Sequence, residues 1–220
     1  MKLPFMPETW TMAGPVLAAA ALLLYGGARW DLPWLTAFGV LVLVIAFLVL
    51  NFFRDFERSP KSPLGPKDVI SPADGKIVIL GTAVEGFYLK EPCLQIAVFM
   101  NPLNNHVQRA PYDGKVTGRE YHPGEFLAAY DDKADLKNEQ AHLVVETETG
   151  QKMVIKQIAG LLCRRVKTTP SVGDRIVRGE RIGRILLGSR VDLFLPLSFK
   201  PAVKLGDQVR AGMTVLGEWS

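Results

Sequence analysis

The chain has 220 residues, 26 Lys and Arg against 22 Asp and Glu for a net charge of +4, and only two cysteines and three histidines. Such sparse histidine and cysteine, with no paired spacing, excludes the usual zinc or cluster centre, and Cys93 and Cys163 read as buried thiols, not a disulfide. The positive excess falls entirely after residue 53, yet no basic helix or aromatic–basic stripe accompanies it, so a nucleic-acid partner is not expected.

Two uncharged runs come first, residues 9–28 and 32–53. Each is about the ~20 residues that an α-helix needs to cross a bilayer core. Only Arg29-Trp30-Asp31 separates them, so residues 1–53 read as a transmembrane helical hairpin with both ends on one side. A secretory signal peptide would have a shorter apolar core and no second, more hydrophobic run. Lys2 precedes the hairpin and Arg54, Arg58, Lys61 and Lys67 follow it, against the single Arg29 in the turn. The positive-inside rule then puts both termini and the soluble part on the cytoplasmic side of the cell (inner) membrane.

Residues 54–67 form a linker rich in proline and charge, and residues 68–220 suit one domain with its own core. Short β-branched and aliphatic runs predict strands over 76–81, 94–100, 115–119, 143–146, 153–158, 175–177, 181–187, 190–195 and 214–216. Two repeats add detail. Gly173-Asp174-x-Ile176-x-x-Gly179-x-x-Ile182 recurs as Gly206-Asp207-x-Val209-x-x-Gly212-x-x-Val215. Likewise Pro72-x-Asp74-Gly75-Lys76-Ile77 recurs as Pro111-x-Asp113-Gly114-Lys115-Val116. These turn-forming units resemble those of biotinyl/lipoyl-type barrel-sandwich domains, so the expected fold is mainly β, a barrel-sandwich behind a helical hairpin.

Three histidines could carry acid–base chemistry. His106 follows a strong apolar strand inside a turn-forming run, where a base at a strand end is well placed. A surface or capping role is the alternative. His122 reads as a loop residue and His142 as an exposed strand head. Asp74 and Asp113 occupy equivalent repeat positions, so both could simply make turns. Gly188-Ser189-Arg190 lies between two hydrophobic runs, a place where a Gly-Ser step is usually a turn.

Read together, these stretches resemble the phosphatidylserine decarboxylase family in its shorter bacterial and archaeal form. The matching residues are Phe52-Phe53-Arg54-Asp55 with Pro60, Ser71-Pro72-Ala73-Asp74-Gly75, and Asn101-Pro102-Leu103 through His106. They continue with Ala110-Pro111-x-Asp113-Gly114, Tyr121-x-Pro123-Gly124, Asn138-Glu139 and Gly188-Ser189-Arg190-Val191-Asp192. The resemblance implies a proenzyme in which Ser189, deprotonated by His106 with Asp74 orienting the imidazole, attacks the Gly188 carbonyl. Cleavage between Gly188 and Ser189 would leave a pyruvoyl group in place of Ser189, and the two fragments would stay together. That group would take phosphatidylserine as a Schiff base and release CO₂ and phosphatidylethanolamine, with His106 as proton donor. Arg109 stands where longer members have a second histidine, and is a candidate for the substrate phosphate or carboxylate. Asn104 stands where an acidic residue is often found, and Gln140 where Arg is usual. Related enzymes suggest a homo-oligomer.

Two rival classes remain at this stage. A non-enzymatic membrane adaptor with a lipoyl-like domain explains the anchor and the Gly-Asp repeats, but not Gly188-Ser189 or His106. A pyruvoyl decarboxylase of a small amino acid leaves the two apolar runs unexplained.

Overall fold

The two uncharged runs form helices α1 (Thr9–Arg29) and α2 (Pro33–Phe52). Both are long and apolar enough to cross a membrane. Asp31 takes a positive φ of 51° in the turn between them, and the Leu32 N–H donates to the Gly27 carbonyl at 2.9 Å. Gly39 lets the helices approach closely, because a Cβ there would sit 2.9 Å from Leu24 Cγ. Small residues serve this purpose in membrane helix pairs.

A computed structural model describes residues 9–58, 60, 63–125, 137–160, 166–185 and 189–220. Gly188 and Cys163 therefore lie outside the described residues. The chain divides into two units, Met1–Glu57 and Arg58–Ser220. The second unit thus begins inside the segment that composition marks as linker.

This second unit is mainly β. Its large antiparallel sheet holds β2 (Gly75–Val84), β3 (Pro92–Met100), β5 (Gly114–His122), β6 (Gln140–Glu146), β7 (Lys152–Ala159), β9 (Arg175–Ile176), β11 (Ser189–Pro196) and β13 (Gln208–Val209). Their order is β13-β2-β3-β11-β7-β6-β5-β9. One small sheet joins β1 (Asp68–Ile70), β14 (Val215–Glu218) and β12 (Lys200–Pro201), and another joins β4 (Val107–Arg109), β10 (Arg181–Ile185) and β8 (Val166–Thr168). All nine predicted runs contain a strand. The five strands not foreseen, β1, β4, β8, β12 and β13, are too short to show an alternating pattern.

Both repeats fold alike. The Gly206 N–H donates to the Ile77 carbonyl and the Ile77 N–H to the Asp207 carbonyl, each at 2.9 Å. In the second copy the Gly173 N–H donates to the Val116 carbonyl and the Val116 N–H to the Asp174 carbonyl, at 2.8 and 2.9 Å. Gly75 and Gly114 hold equivalent places, and neither site has room for a side chain. A Cβ on Gly75 would lie 2.0 Å from the Phe99 carbonyl oxygen, and one on Gly114 2.7 Å from that of Glu146.

One face of the large sheet builds the main core, with Ile77, Ile96, Val98, Leu143, Ile155, Val191 and Leu193 buried together. The other face packs Cys93, Val144, Val154 and Phe194 against Ala83, Tyr88 and Leu89. Burial holds the Cys93 thiol above its usual pKa, as suits a free buried cysteine. The segment crossing this face is tied by the Glu85 carboxylate, which accepts the N–H groups of Phe87, Tyr88 and Leu89.

His142 lies beneath that segment, and its expected exposure is corrected: the residue is fully buried. Its ring stacks near Phe87, Tyr88 and His122, and its Nε2 faces Gln140 Oε1 at 3.1 Å. His122 is also not a loop residue but ends β5. Burial, helped by the nearby Lys156 and His122 charges, lowers the His142 pKa from 6.5 to about 4 against the opposing pull of Glu85 and Glu120. Between those two values the unfolded chain binds a proton that the folded chain refuses, so stability falls as pH falls. The loss saturates at roughly 3 kcal/mol below pH 4. In thermal melts of the full chain, His142→Gln should flatten the decline between pH 6.5 and 4. An unchanged slope would refute this role.

Candidate active site

Because neighbouring strands run antiparallel, one end of the large sheet gathers the start of β2, the end of β3, the start of β11 and the end of β7. Ser189 opens β11 there, opposite Met100 on one side and Ala159 on the other. Asp74 immediately precedes β2 at the same end. His106 follows β3 by six residues and precedes β4. The fold therefore brings all three to one edge.

Ser189 and His106 are fully buried, and Asp74 is 8% exposed. Ser189 Oγ has no hydrogen-bond partner among the described residues, an unusual state for a buried hydroxyl. The His106 Nδ1 lies 2.9 Å from the Asn104 carbonyl oxygen. A carbonyl only accepts, so Nδ1 carries a hydrogen, and in the neutral ring the lone pair is on Nε2. His106 thus meets a main-chain carbonyl at Nδ1, while Asp74 stands before β2 at the same sheet end.

A buried amide network holds the His106 main chain against Met100. Gln108 Nε2 donates to the His106 carbonyl at 2.9 Å and contacts Met100 Sδ at 3.7 Å, and Met100 is the cross-strand neighbour of Ser189. Gln157 Nε2 donates to Gln108 Oε1 at 3.1 Å, and Thr168 Oγ1 donates to Gln157 Oε1 at 2.6 Å. Both glutamines are fully buried. The Ile185 N–H also donates to the His106 carbonyl, at 3.3 Å. Ser189 is only four residues further along, so the backbone between them spans at most ~14 Å.

Asp74 and Asp113 share one structural task. Asp74 Oδ1 accepts the Ala211 N–H at 2.8 Å, and Asp113 Oδ1 accepts the Arg178 N–H at the equivalent place, at 2.6 Å. What sets Asp74 apart is Arg58, whose Nη1 and Nη2 grip its two oxygens, the second at 2.9 Å. Asp113 sits before β5, whose start lies at the far end of the sheet. Asp74 Oδ2 keeps acceptor capacity, since Arg58 Nη2 is its one donor among the described residues. The buried Arg109 sends Nη1 to the Gly179 carbonyl at 2.8 Å and packs over Gly212.

Further residues brace Ser189. Asn138 Nδ2 donates to the Ala159 carbonyl at 2.7 Å, and Glu139 Oε1 accepts the Val166 N–H at 2.9 Å. Beside Ser189, Arg190 forms a bidentate pair with Asp192, at 2.8 and 2.9 Å, while Gln95 Nε2 donates to Asp192 Oδ2 at 2.9 Å. Arg58, Gln95, Gln108 and Gln157 escaped the sequence reading. The available signal was a glutamine inside otherwise apolar strand runs, where an amide must find a partner.

The family model for phosphatidylserine decarboxylase matches residues 45–217. Curated relatives named phosphatidylserine decarboxylase proenzyme are similar over nearly the whole chain. One from Symbiobacterium thermophilum is 39% identical, covering 96% of this chain and 93% of the relative. Another from Geobacter metallireducens is 42% identical over 94% and 92%. A third, from Nitrosomonas europaea, is 40% identical over the full length of both.

Proposed function

The chain belongs to the phosphatidylserine decarboxylase family, and we propose that it is a membrane-held proenzyme that cleaves itself between Gly188 and Ser189. The mature enzyme is a carboxy-lyase that turns phosphatidylserine into phosphatidylethanolamine and CO₂ at the cytoplasmic face of the inner membrane. The observation that carries this reading is the buried Ser189 hydroxyl, without a hydrogen-bond partner among the described residues, at the sheet end where Gln108 joins the His106 main chain to Met100, the cross-strand neighbour of Ser189. An adaptor would have no use for that arrangement.

In maturation, His106 Nε2 takes the Ser189 hydroxyl proton as Oγ adds to the Gly188 carbonyl. The Gly188–Ser189 amide becomes an ester as the proton passes to the Ser189 nitrogen. Elimination breaks the Cβ–Oγ bond, freeing the Gly188 carboxylate and leaving a dehydroalanine at position 189. Water then replaces its nitrogen, which leaves as ammonia. Asp74, held by Arg58 and the Ala211 N–H, offers its remaining Oδ2 acceptor site to the charged imidazole.

A pyruvoyl group formed from Ser189 fits this position, because the side chain it replaces is buried and has no hydrogen bond to lose among the described residues. When formed, it supplies a carbonyl that accepts the electrons released as CO₂ leaves. His106 would hold and return the proton that completes the product. β11 pairs along its whole length with β3 and along 189–194 with β7, so the two fragments remain one β unit after cleavage.

Release of CO₂ from phosphatidylserine by the purified full chain tests the reading, with hydroxylamine, a carbonyl reagent, expected to abolish it. A preparation that has matured yet releases none would refute it. The Arg58–Asp74 grip gives a further expected result. Asp74→Ala and Arg58→Met should each slow self-cleavage about 10- to 100-fold, and together no more than the worse single change. Additive losses in the timed gel assay would separate Arg58 from Asp74.

A further inference from the structure

The turn after β3 ends in an exposed apolar tip whose backbone is closed on itself. Leu103 is 67% exposed, and Asn101 and Pro102 beside it are also exposed. Yet the Leu103 N–H donates to Asn101 Oδ1 and the Asn101 N–H to Asn104 Oδ1, both at 2.8 Å. The Asn104 N–H donates to the Asn101 carbonyl at 3.0 Å. Pro102 has no N–H. Every main-chain donor from 101 to 104 is therefore satisfied within the turn. Asn-rich turns close in this way in water as well, but the closure leaves no main-chain donor here to be stripped of water when the tip enters a medium poor in hydrogen-bonding partners.

The tip stands two residues before Asn105 and His106, at the sheet end where Ser189 opens β11. Across the same end, beyond β11, β7 and β6, Tyr121 is 54% exposed one residue before the end of β5, and the half-exposed Phe87 packs on His122. Aromatic rings and aliphatic tips flanking a site suit a phospholipid interface, where one end of a side chain is apolar and the other wet.

We infer that the Pro102–Leu103 tip inserts into the phospholipid bilayer and seats the Ser189 edge on the membrane, so that the headgroup of a resident lipid reaches it. The inference rests on the phosphatidylserine reading above. It assigns a docking task to Leu103, which takes no part in the chemistry.

The test uses the full chain in phosphatidylcholine vesicles with two substrates. One is long-chain phosphatidylserine resident in the bilayer; the other is water-soluble dihexanoyl phosphatidylserine added to vesicles that lack the first. Leu103→Asp should mature fully, turn over the soluble substrate like the parent, and lose about ten-fold or more on the resident lipid. In a Cys93→Ala, Cys163→Ala background, a bimane on Leu103→Cys should be quenched by brominated acyl chains. Equal rates on both substrates, equal losses on both, or an unquenched label would overturn the inference. An unquenched label with an altered oligomeric state in detergent would give the tip to a second copy of the chain instead. If the parent releases no CO₂ from either substrate, the enzymatic reading fails, and quenching alone still decides whether the tip enters the bilayer.

Discussion

Ser189→Ala should leave a single intact chain of 24.3 kDa on a denaturing gel, where the parent gives fragments 1–188 and 189–220. It should also release no CO₂ from phosphatidylserine. Two things are lost at once. The nucleophile that converts the Gly188 amide to an ester is gone, and so is the side chain from which a carbonyl can be made. The two cross-strand neighbours of Ser189, Met100 and Ala159, carry no nucleophile that could take its place. The substitution itself should be well tolerated by the fold. Ser189 is fully buried and its hydroxyl has no hydrogen bond among the described residues, so alanine removes an oxygen that none of them satisfies. A melting temperature at or above that of the parent would separate lost chemistry from lost structure. Two fragments from the alanine variant would remove Ser189 from the mechanism.

His106→Gln is expected to have the next largest effect, slowing self-cleavage by about 10²- to 10⁴-fold, the usual contribution of a positioned base. Glutamine is close in size and can still meet the Asn104 carbonyl that faces His106 Nδ1, but it cannot take a proton. The reading also requires a contrast. Gln108→Met keeps the imidazole and removes the amide bonds to the His106 carbonyl, Gln157 and Met100, so it should slow cleavage far less. Equal defects in the two variants would mean that the edge needs its packing, not a base. Any His106→Gln protein that does mature slowly should remain poor at releasing CO₂, since the same imidazole is assigned the later proton.

Local pattern made much of this legible. The helical hairpin follows from two uncharged runs, and nine of the strands from β-branched and aliphatic runs set between turn residues. The equivalence of Asp74 and Asp113 was readable from the repeats, and both do tie the same kind of turn. Motif order alone points to Ser189, His106 and Asp74, which the fold sets at one sheet end. What stayed hidden depends on contacts between residues far apart in the chain. Arg58 reaches Asp74 across 16 positions, and Gln157 reaches Gln108 across 49. Neither distance leaves a periodic trace. His142 looks like a strand head in sequence, and only the crossing segment held by Glu85 buries it. The acceptor that faces His106 Nδ1 was hidden for the opposite reason. It is a carbonyl only two residues away, and a main-chain acceptor carries no side-chain signature.

Intact-mass analysis of a preparation that is releasing CO₂ tests self-conversion of Ser189 most directly. Ester formation, elimination and hydrolysis add one water and expel one ammonia, so the two fragment masses should sum to about 1 Da more than the unprocessed chain. The smaller fragment should resist Edman degradation, having no amino group at its start. A single unbroken mass in an active sample would contradict the mechanism outright. So would two fragments summing to about 18 Da above the chain, with serine at the new N-terminus, since that is simple proteolysis.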